Sequence, residues 1–307
     1  MRNRKTIISS AVMIALTVFG VNSAIGQTSE KKSVDQKHTE DKSSVWKVSK
    51  TIDGKVQTVF FGGTIHLLRE SDYPLPTQYN EAYQQADELF FEVDLKEAQT
   101  QSAQIKMMQG LLLPNGETVQ DKLTQENYDA IKTYLNKVGM PIEQMKLFSP
   151  EGLSLILSSQ AIVNLGFTPM GVDQFYDDLA KAEGKSRGFL ETLDEQIDFL
   201  TNMKADPNTI IQYTLRDINN LKNIMNDMVQ QWREGTEIKS IAQEMKMEFP
   251  EIYESLIVTR NNNWLSTLEA QFLDAETEFV LVGVGHLTGE DSVLNMLKAK
   301  GYSVEQL

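Results

Sequence analysis

The sequence predicts an α/β fold: a central mixed, mainly parallel sheet built from N- and C-terminal strands, with a large helical middle region. Three observations carry this. Apolar, β-branched and aromatic runs stand near both ends, Thr58-Val59-Phe60-Phe61 and Phe279-Val280-Leu281-Val282. Each run leads into a glycine turn and a histidine, Gly63-Thr64-Ile65-His66 in one case and Gly283-Val284-Gly285-His286 in the other. Between them the chain is mostly of helical periodicity, with capping residues and prolines at several helix starts.

The elements follow in chain order. Arg2, Arg4 and Lys5 precede an uncharged, mainly apolar stretch from Thr6 to Val21. Ala24 and Gly26 are spaced as the small residues of a cleavage site, so residues 1–26 are expected to be a signal peptide. The apolar run is short for a membrane span and no second one exists, so no stable membrane insertion is expected after cleavage. Residues 27–44 are rich in Ser, Lys, Asp and Glu and are expected to form a disordered linker, with His38 in it given no role. Residues 45–307 are expected to be the folded domain.

Val45 to Ser49 and Lys55 to Phe61 flank Asp53-Gly54, a hairpin signal. Thr77 to Ala86 reads as a helix, and Glu88 to Val93 as a buried strand ending at Glu92 and Asp94. Helices are expected over Lys96 to Gly110, Gln125 to Val138, Ser149 to about Asn164 and Asp173 to Glu183. Arg187 to Glu191 reads as a short strand, and Leu193 to Met203 as a helix. Ile211, Leu215, Ile218, Met225, Val229 and Trp232 keep helical spacing, so one long helix is expected from Asp206-Pro207 to Gly235. Further helices cover Ile238 to Met247 and Pro250 to Ala270. A strand over Thr277 to Val282, a helix over Asp291 to Lys298 and a last strand over Tyr302 to Val304 complete the domain.

Composition excludes some functions. The 307 residues carry a net charge of −14, which argues against binding a nucleic-acid backbone. There is no cysteine, which rules out disulfides and a cysteine-linked lipid anchor. An export signal without disulfides suggests a bacterial periplasmic or extracellular protein. Serine, cysteine and zincin protease signatures are absent. Gly283, Gly285 and Gly289 do not make the dinucleotide fingerprint, and Met245 and Met247 read as core rather than copper ligands.

Ligands of open α/β sheets bind beyond the carboxyl ends of the strands. His66, Glu92 and His286 each end or follow an apolar strand, so they converge if those strands are parallel neighbours. Two histidines and one carboxylate suit a divalent metal with open positions for water and substrate. Asp94 stands close enough to replace Glu92, and the sequence leaves that choice open.

These segments resemble the TraB/GumN family, which includes the Tiki-type metalloproteases. The resemblance rests on Gly63-Thr64-Ile65-His66, Leu75-Pro76 and Phe91-Glu92-Val93-Asp94. It continues through Gly171-Val172-Asp173, Leu190-Glu191-Thr192 with Glu195-Gln196, Arg260-Asn261 before Trp264, and Val282 to Leu287. It covers residues 45 to 307 and departs at Val284, where a smaller residue is expected. The resemblance implies a metal-dependent, peptidase-like hydrolase using manganese or cobalt, with zinc a further candidate, and the signal sequence makes it an exported one. It implies His66 and His286 as metal ligands or direct catalysts, and Glu92 as third ligand or general base. Glu191 would be a second acidic group or a partner that supports the ligands from behind, Arg260 would steady an oxyanion or a substrate carboxylate, and Asn261 would orient one of them. A peptide or protein substrate is expected. The alternative is a non-catalytic protein that captures a peptide, haem or metal in the same crevice.

Overall fold

The computed structural model describes residues 42–114, 116–236, 239–273 and 276–307. The expected signal peptide, His38 and most of the expected linker lie outside them. Ser43 and Ser44, at the end of that linker, are buried, and Ser44 Oγ donates to the carbonyl of Trp232 at 2.8 Å.

Six strands form one sheet: β1 (Val45–Ile52), β2 (Lys55–Thr64), β3 (Glu88–Phe91), β4 (Ser186–Phe189), β5 (Glu278–Gly283) and β6 (Ser303–Gln306). Their spatial order is β4-β3-β5-β2-β1-β6. The pairs β4/β3, β3/β5 and β5/β2 are parallel, while β2/β1 and β1/β6 are antiparallel. The sheet is therefore mixed and mainly parallel, as the sequence predicts. Asp53 and Gly54 close the β1–β2 hairpin with φ of 50° and 79°, the positive values that a two-residue hairpin turn of this kind requires.

Alternation along the strands sends side chains to two cores. Phe60, Leu89, Phe91, Phe279 and Leu281 pack on one side, against helices Thr77–Gln85, Val172–Glu183 and Leu221–Arg233. Val59, Phe61, Phe90, Val280 and Val282 pack on the other, against helices Arg260–Ala270 and Val293–Ala299. Both faces are covered, which is why β5 reads as an unbroken apolar run. Two further clusters hold the helical middle together, one around Leu155, Leu200 and Tyr253 and one around Ile131, Leu153 and Ile211.

Two expected helices are each divided. The run from Lys96 to Gly110 is split into Leu95–Ala98 and Gln101–Gly110, because Thr100 turns extended and its side chain caps the second helix. The run from Asp206 to Gly235 breaks at Asn219-Asn220 into Pro207–Ile218 and Leu221–Arg233. The apolar spacing continues through the break, so periodicity alone does not register it. The stretch from Pro250 to Ala270 is continuous but contains a π-helical segment, Glu254–Thr259, immediately before Arg260. Among the described residues no helix is long and apolar enough to cross a membrane.

Candidate active site

Every parallel strand delivers a polar residue to the same end of the sheet. Across the order β4-β3-β5-β2 these are Glu191, Glu92, His286 and His66, each just beyond its strand. The register places Thr64 beside Gly283, so the turns after β2 and β5 start level with each other. One helix from each side of the sheet completes the cluster. Val172–Glu183 brings Asp173, and Arg260–Ala270 brings Arg260, Asn261 and Trp264.

His66 Nδ1 lies 2.9 Å from Asp173 Oδ2. A carboxylate accepts, so Nδ1 carries the proton and Nε2 presents its lone pair. Gly171 makes this pairing possible. A Cβ there would lie 2.2 Å from the His66 carbonyl, so only glycine lets the helix start press against the His66 backbone. Burial lowers the imidazole pKa, but the charge and hydrogen bond of Asp173 outweigh it, with help from Glu92, and the net shift is upward from 6.5.

His286 is fully buried and its tautomer is fixed from both sides. Arg260 Nη1 can only donate, so His286 Nε2 accepts at 3.0 Å. Nδ1 then donates to Asn261 Oδ1 at 2.7 Å, and Asn261 Nδ2 is held by the Asp291 carbonyl at 2.8 Å. Burial, reinforced by the Arg260 guanidinium, pushes the His286 pKa down to about 3, so this ring stays neutral. It packs on Trp264 with ring centroids 4.5 Å apart.

Arg260 is saturated. Its Nη2 donates to Glu92 Oε2 and Glu191 Oε1, each at 2.6 Å, and its Nε to Glu191 Oε2 at 3.0 Å. Its Nη1 reaches His286 and, at 3.4 Å, the Leu256 carbonyl. As placed, every N–H of Arg260 has a partner. The guanidinium bridges the two carboxylates and seals His286.

Glu92 Oε1 accepts from the Gly283 amide at 2.6 Å. Burial would raise its pKa, but Arg260, both histidines and that amide hold it well below the usual carboxylate range. Glu92 is thus a permanent anion and a weak base. Glu191 differs: burial raises its pKa despite the two-point grip of Arg260. Trp264 Nε1 and Gln196 Nε2 also donate to it, at 3.0 and 3.1 Å. Asp94 takes no part; it caps the helix Leu95–Ala98 by accepting from the Lys96 amide at 2.9 Å.

A Cβ built on Gly283 would lie 3.2 Å from Glu92 Oε1 and 3.6 Å from both His66 Nε2 and His286 Cδ2. The two histidines and Glu92 therefore meet over one glycine. As placed, they do not fit a divalent ion. The donor types suit one, but the Arg260 guanidinium occupies His286 Nε2 and Glu92 Oε2. Among the described residues no three His, Asp, Glu or Cys groups are disposed to hold a metal.

A family model, TraB/PrgY/gumN family, matches residues 44–306. The chain belongs to this family. Among curated members it is similar to Metalloprotease TIKI2 of Danio rerio, 26% identical over 300 residues, covering 79% of this chain and 57% of that protein. It thus spans little more than half the length of that relative. It is also similar to Uncharacterized protein YbaP of Escherichia coli (strain K12), 24% identical over 245 residues, covering 77% of this chain and 86% of that protein. No solved structure matches it.

The sequence brings His66, Glu92, Glu191, Arg260, Asn261 and His286 into view, and the fold gathers all six. It gives no role to Asp173, Gln196 or Trp264, although all three stand inside segments that carry the family resemblance. Asp173 shares a segment with Gly171, whose close approach to His66 is what brings it to the ring.

Proposed function

We propose that the chain is an exported, peptidase-like hydrolase with His66 as its general base. The observation that supports this most is the His66–Asp173 pair. Asp173 fixes the Nδ1–H tautomer and would stabilise the imidazolium formed when Nε2 takes a proton from an attacking water. The upward pKa shift brings the ring toward the range where a base works near neutral pH. Glu92, expected as a ligand or base, serves better as a fixed anion that favours the protonated ring.

Export rests on Arg2, Arg4 and Lys5, the apolar stretch after them and the small pair Ala24 and Gly26. Metal dependence remains part of the proposal because the TIKI2 relative is named a metalloprotease. Manganese, cobalt or zinc would need the guanidinium to leave His286 and Glu92 first. A second reading, non-catalytic capture of a peptide, haem or metal, is favoured by the saturation of Arg260, since a fully bonded cluster is suited to holding a shape.

The test is cleavage of a peptide library, followed as new amino termini, with the wild type and His66→Ala, each with a chelator, manganese, cobalt or zinc. Cleavage lost in a folded His66→Ala supports the hydrolase. Absence of cleavage under every condition sinks it and leaves the capture reading. Cleavage untouched by the chelator removes the metal from the mechanism.

A further inference from the structure

A small cavity adjoins the cluster on the His66 side. Its side-chain lining comes from His66, Glu92, Asp173 and Gln196, with Phe91 and Leu95 among its apolar walls, and its volume is about 10 Å³. That is room for one water-sized group. Asp173 and Gln196 are only 7% and 4% exposed, and each carries a buried oxygen with no hydrogen-bond partner, Asp173 Oδ1 and Gln196 Oε1. Burying a polar atom without a partner is unfavourable, so two of them beside one cavity call for an occupant.

The chemistry of that occupant follows from what is unspent. Gln196 Nε2 is committed to Glu191 and, at 3.4 Å, to Glu92. His66 Nδ1 is committed to Asp173. The side-chain capacity left beside the cavity is acceptor only: Asp173 Oδ1, Gln196 Oε1 and His66 Nε2. The cluster also holds three carboxylates, Glu92, Asp173 and Glu191, against the one guanidinium of Arg260. A group that only donates, bears a positive charge and is the size of a water meets both conditions. A primary ammonium, with three N–H donors, is such a group.

The surface next to Glu191 has the same sign. A groove of about 620 Å³ runs up to Glu191 and is lined by Asp94, Glu97, Asp194 and Glu195 as well. One lysine, Lys106, answers these, at 2.6 Å from Asp194. A chain bearing positive charge is favoured along such a groove.

We infer that this cavity seats a primary ammonium of the substrate, held by Asp173 Oδ1 and Gln196 Oε1 beside His66. The ammonium comes from a free peptide amino terminus or from a lysine side chain. The inference rests on the hydrolase reading for its substrate, but the seat itself is a binding claim and is tested without turnover.

The experiment is calorimetric titration of the chain with L-leucinamide, N-acetyl-L-leucinamide and n-butylammonium chloride. Binding of leucinamide at least tenfold tighter than its acetylated form is the expected result and needs no variant. Butylammonium binding as tightly as leucinamide identifies the lysine-type source, and leucinamide alone identifies the amino terminus. Gln196→Met, checked for folding by thermal melting, is expected to weaken the favoured ligand about tenfold. Equal binding of free and acetylated leucinamide, or no binding of either amine, overturns the seat. So does displacement of bound leucinamide by equimolar manganese, which would assign the cavity to a metal. If the amines bind and no peptide is ever cleaved, the seat stands and the hydrolase falls. If acetylated, lysine-free peptides are cleaved as fast as free ones, the hydrolase stands and the seat falls.

Discussion

Replacing Arg260 by alanine should destabilise the protein by about 3–5 kcal/mol at pH 7, the cost of breaking a buried ion pair from one side. The structure justifies the upper part of the usual scale. The Arg260 side chain is 7% exposed, and those of Glu92 and Glu191 are 10% and 5% exposed, so no partner is screened by bulk water. The truncation leaves two carboxylates side by side in low dielectric and removes a donor from His286 Nε2. The pH dependence gives a second check. In the wild type the Glu92 pKa is depressed, so its contribution is present above the unfolded value of 4.5 and lost as pH falls through the folded one. In the variant the guanidinium no longer offsets burial, so both carboxyl pKa values rise and protonation relieves the damage as pH falls. The gap between the two proteins should therefore be widest near pH 7 and narrow toward pH 4. Urea unfolding at pH 7, 5.5 and 4 measures it. A triple variant, Arg260→Met with Glu92→Gln and Glu191→Gln, should recover most of the loss, because the buried charge is gone from both sides. A loss below about 1 kcal/mol at pH 7, flat with pH, would mean that the trio behaves as an exposed pair and would refute the reasoning.

Other outcomes follow from the same geometry. Asp173→Asn should lower the His66 pKa, since burial is its largest influence and Asp173 is what overcomes it; histidine NMR titration reads this, and an unmoved value would remove Asp173 from the account. In the wild type, His286 should make stability fall by about 5 kcal/mol between pH 6.5 and 3, because the unfolded ring takes a proton that the folded one refuses until about 3. His286→Gln should flatten that part of the stability profile. Gly283→Ala, with its Cβ 3.6 Å from His66 Nε2, should cost only about 1–3 kcal/mol but abolish ligand binding or turnover at the cluster; full function in that variant would place the reactive space elsewhere.

The sheet was legible because its strands obey simple rules. Asp53-Gly54 forces a hairpin, and the apolar runs Val59-Phe60-Phe61 and Phe279 to Val282 are too continuous for a one-sided sheet. The convergence of His66, Glu92 and His286 followed from strand ends alone once β5 lay between β2 and β3. What local pattern did not carry was anything decided across the fold. The break at Asn219-Asn220 keeps the apolar spacing intact on both sides. The Asp173 partnership depends on Gly171 meeting the His66 backbone more than a hundred residues away in sequence. The saturation of Arg260 is a count of donors and acceptors that requires coordinates, and it changes how the residue reads, from a free guanidinium to one that bridges two carboxylates.

That change also separates the two histidines, which the sequence presents as a matched pair. Their turns start level on adjacent parallel strands, yet their fates differ because different helices cover them. His286 lies on the side of Arg260–Ala270, where guanidinium and amide fix both ring nitrogens and burial pushes its pKa down to about 3, so the ring is neutral near pH 7. His66 lies on the side of Val172–Glu183, where only Nδ1 is tied and the carboxylate that ties it raises the basicity of Nε2. A proton can be taken up at one ring and not at the other. If a cation is to join both histidines, Arg260 has to move and two buried carboxylates have to accept the replacement. If Arg260 stays, all the chemistry of the cluster is on the His66 side, next to the two unpaired oxygens of Asp173 and Gln196. Comparing metal affinity of the wild type with that of Arg260→Ala decides between these. A gain on truncation means that the guanidinium holds the seat against the ion, and a loss means that it helps to build it.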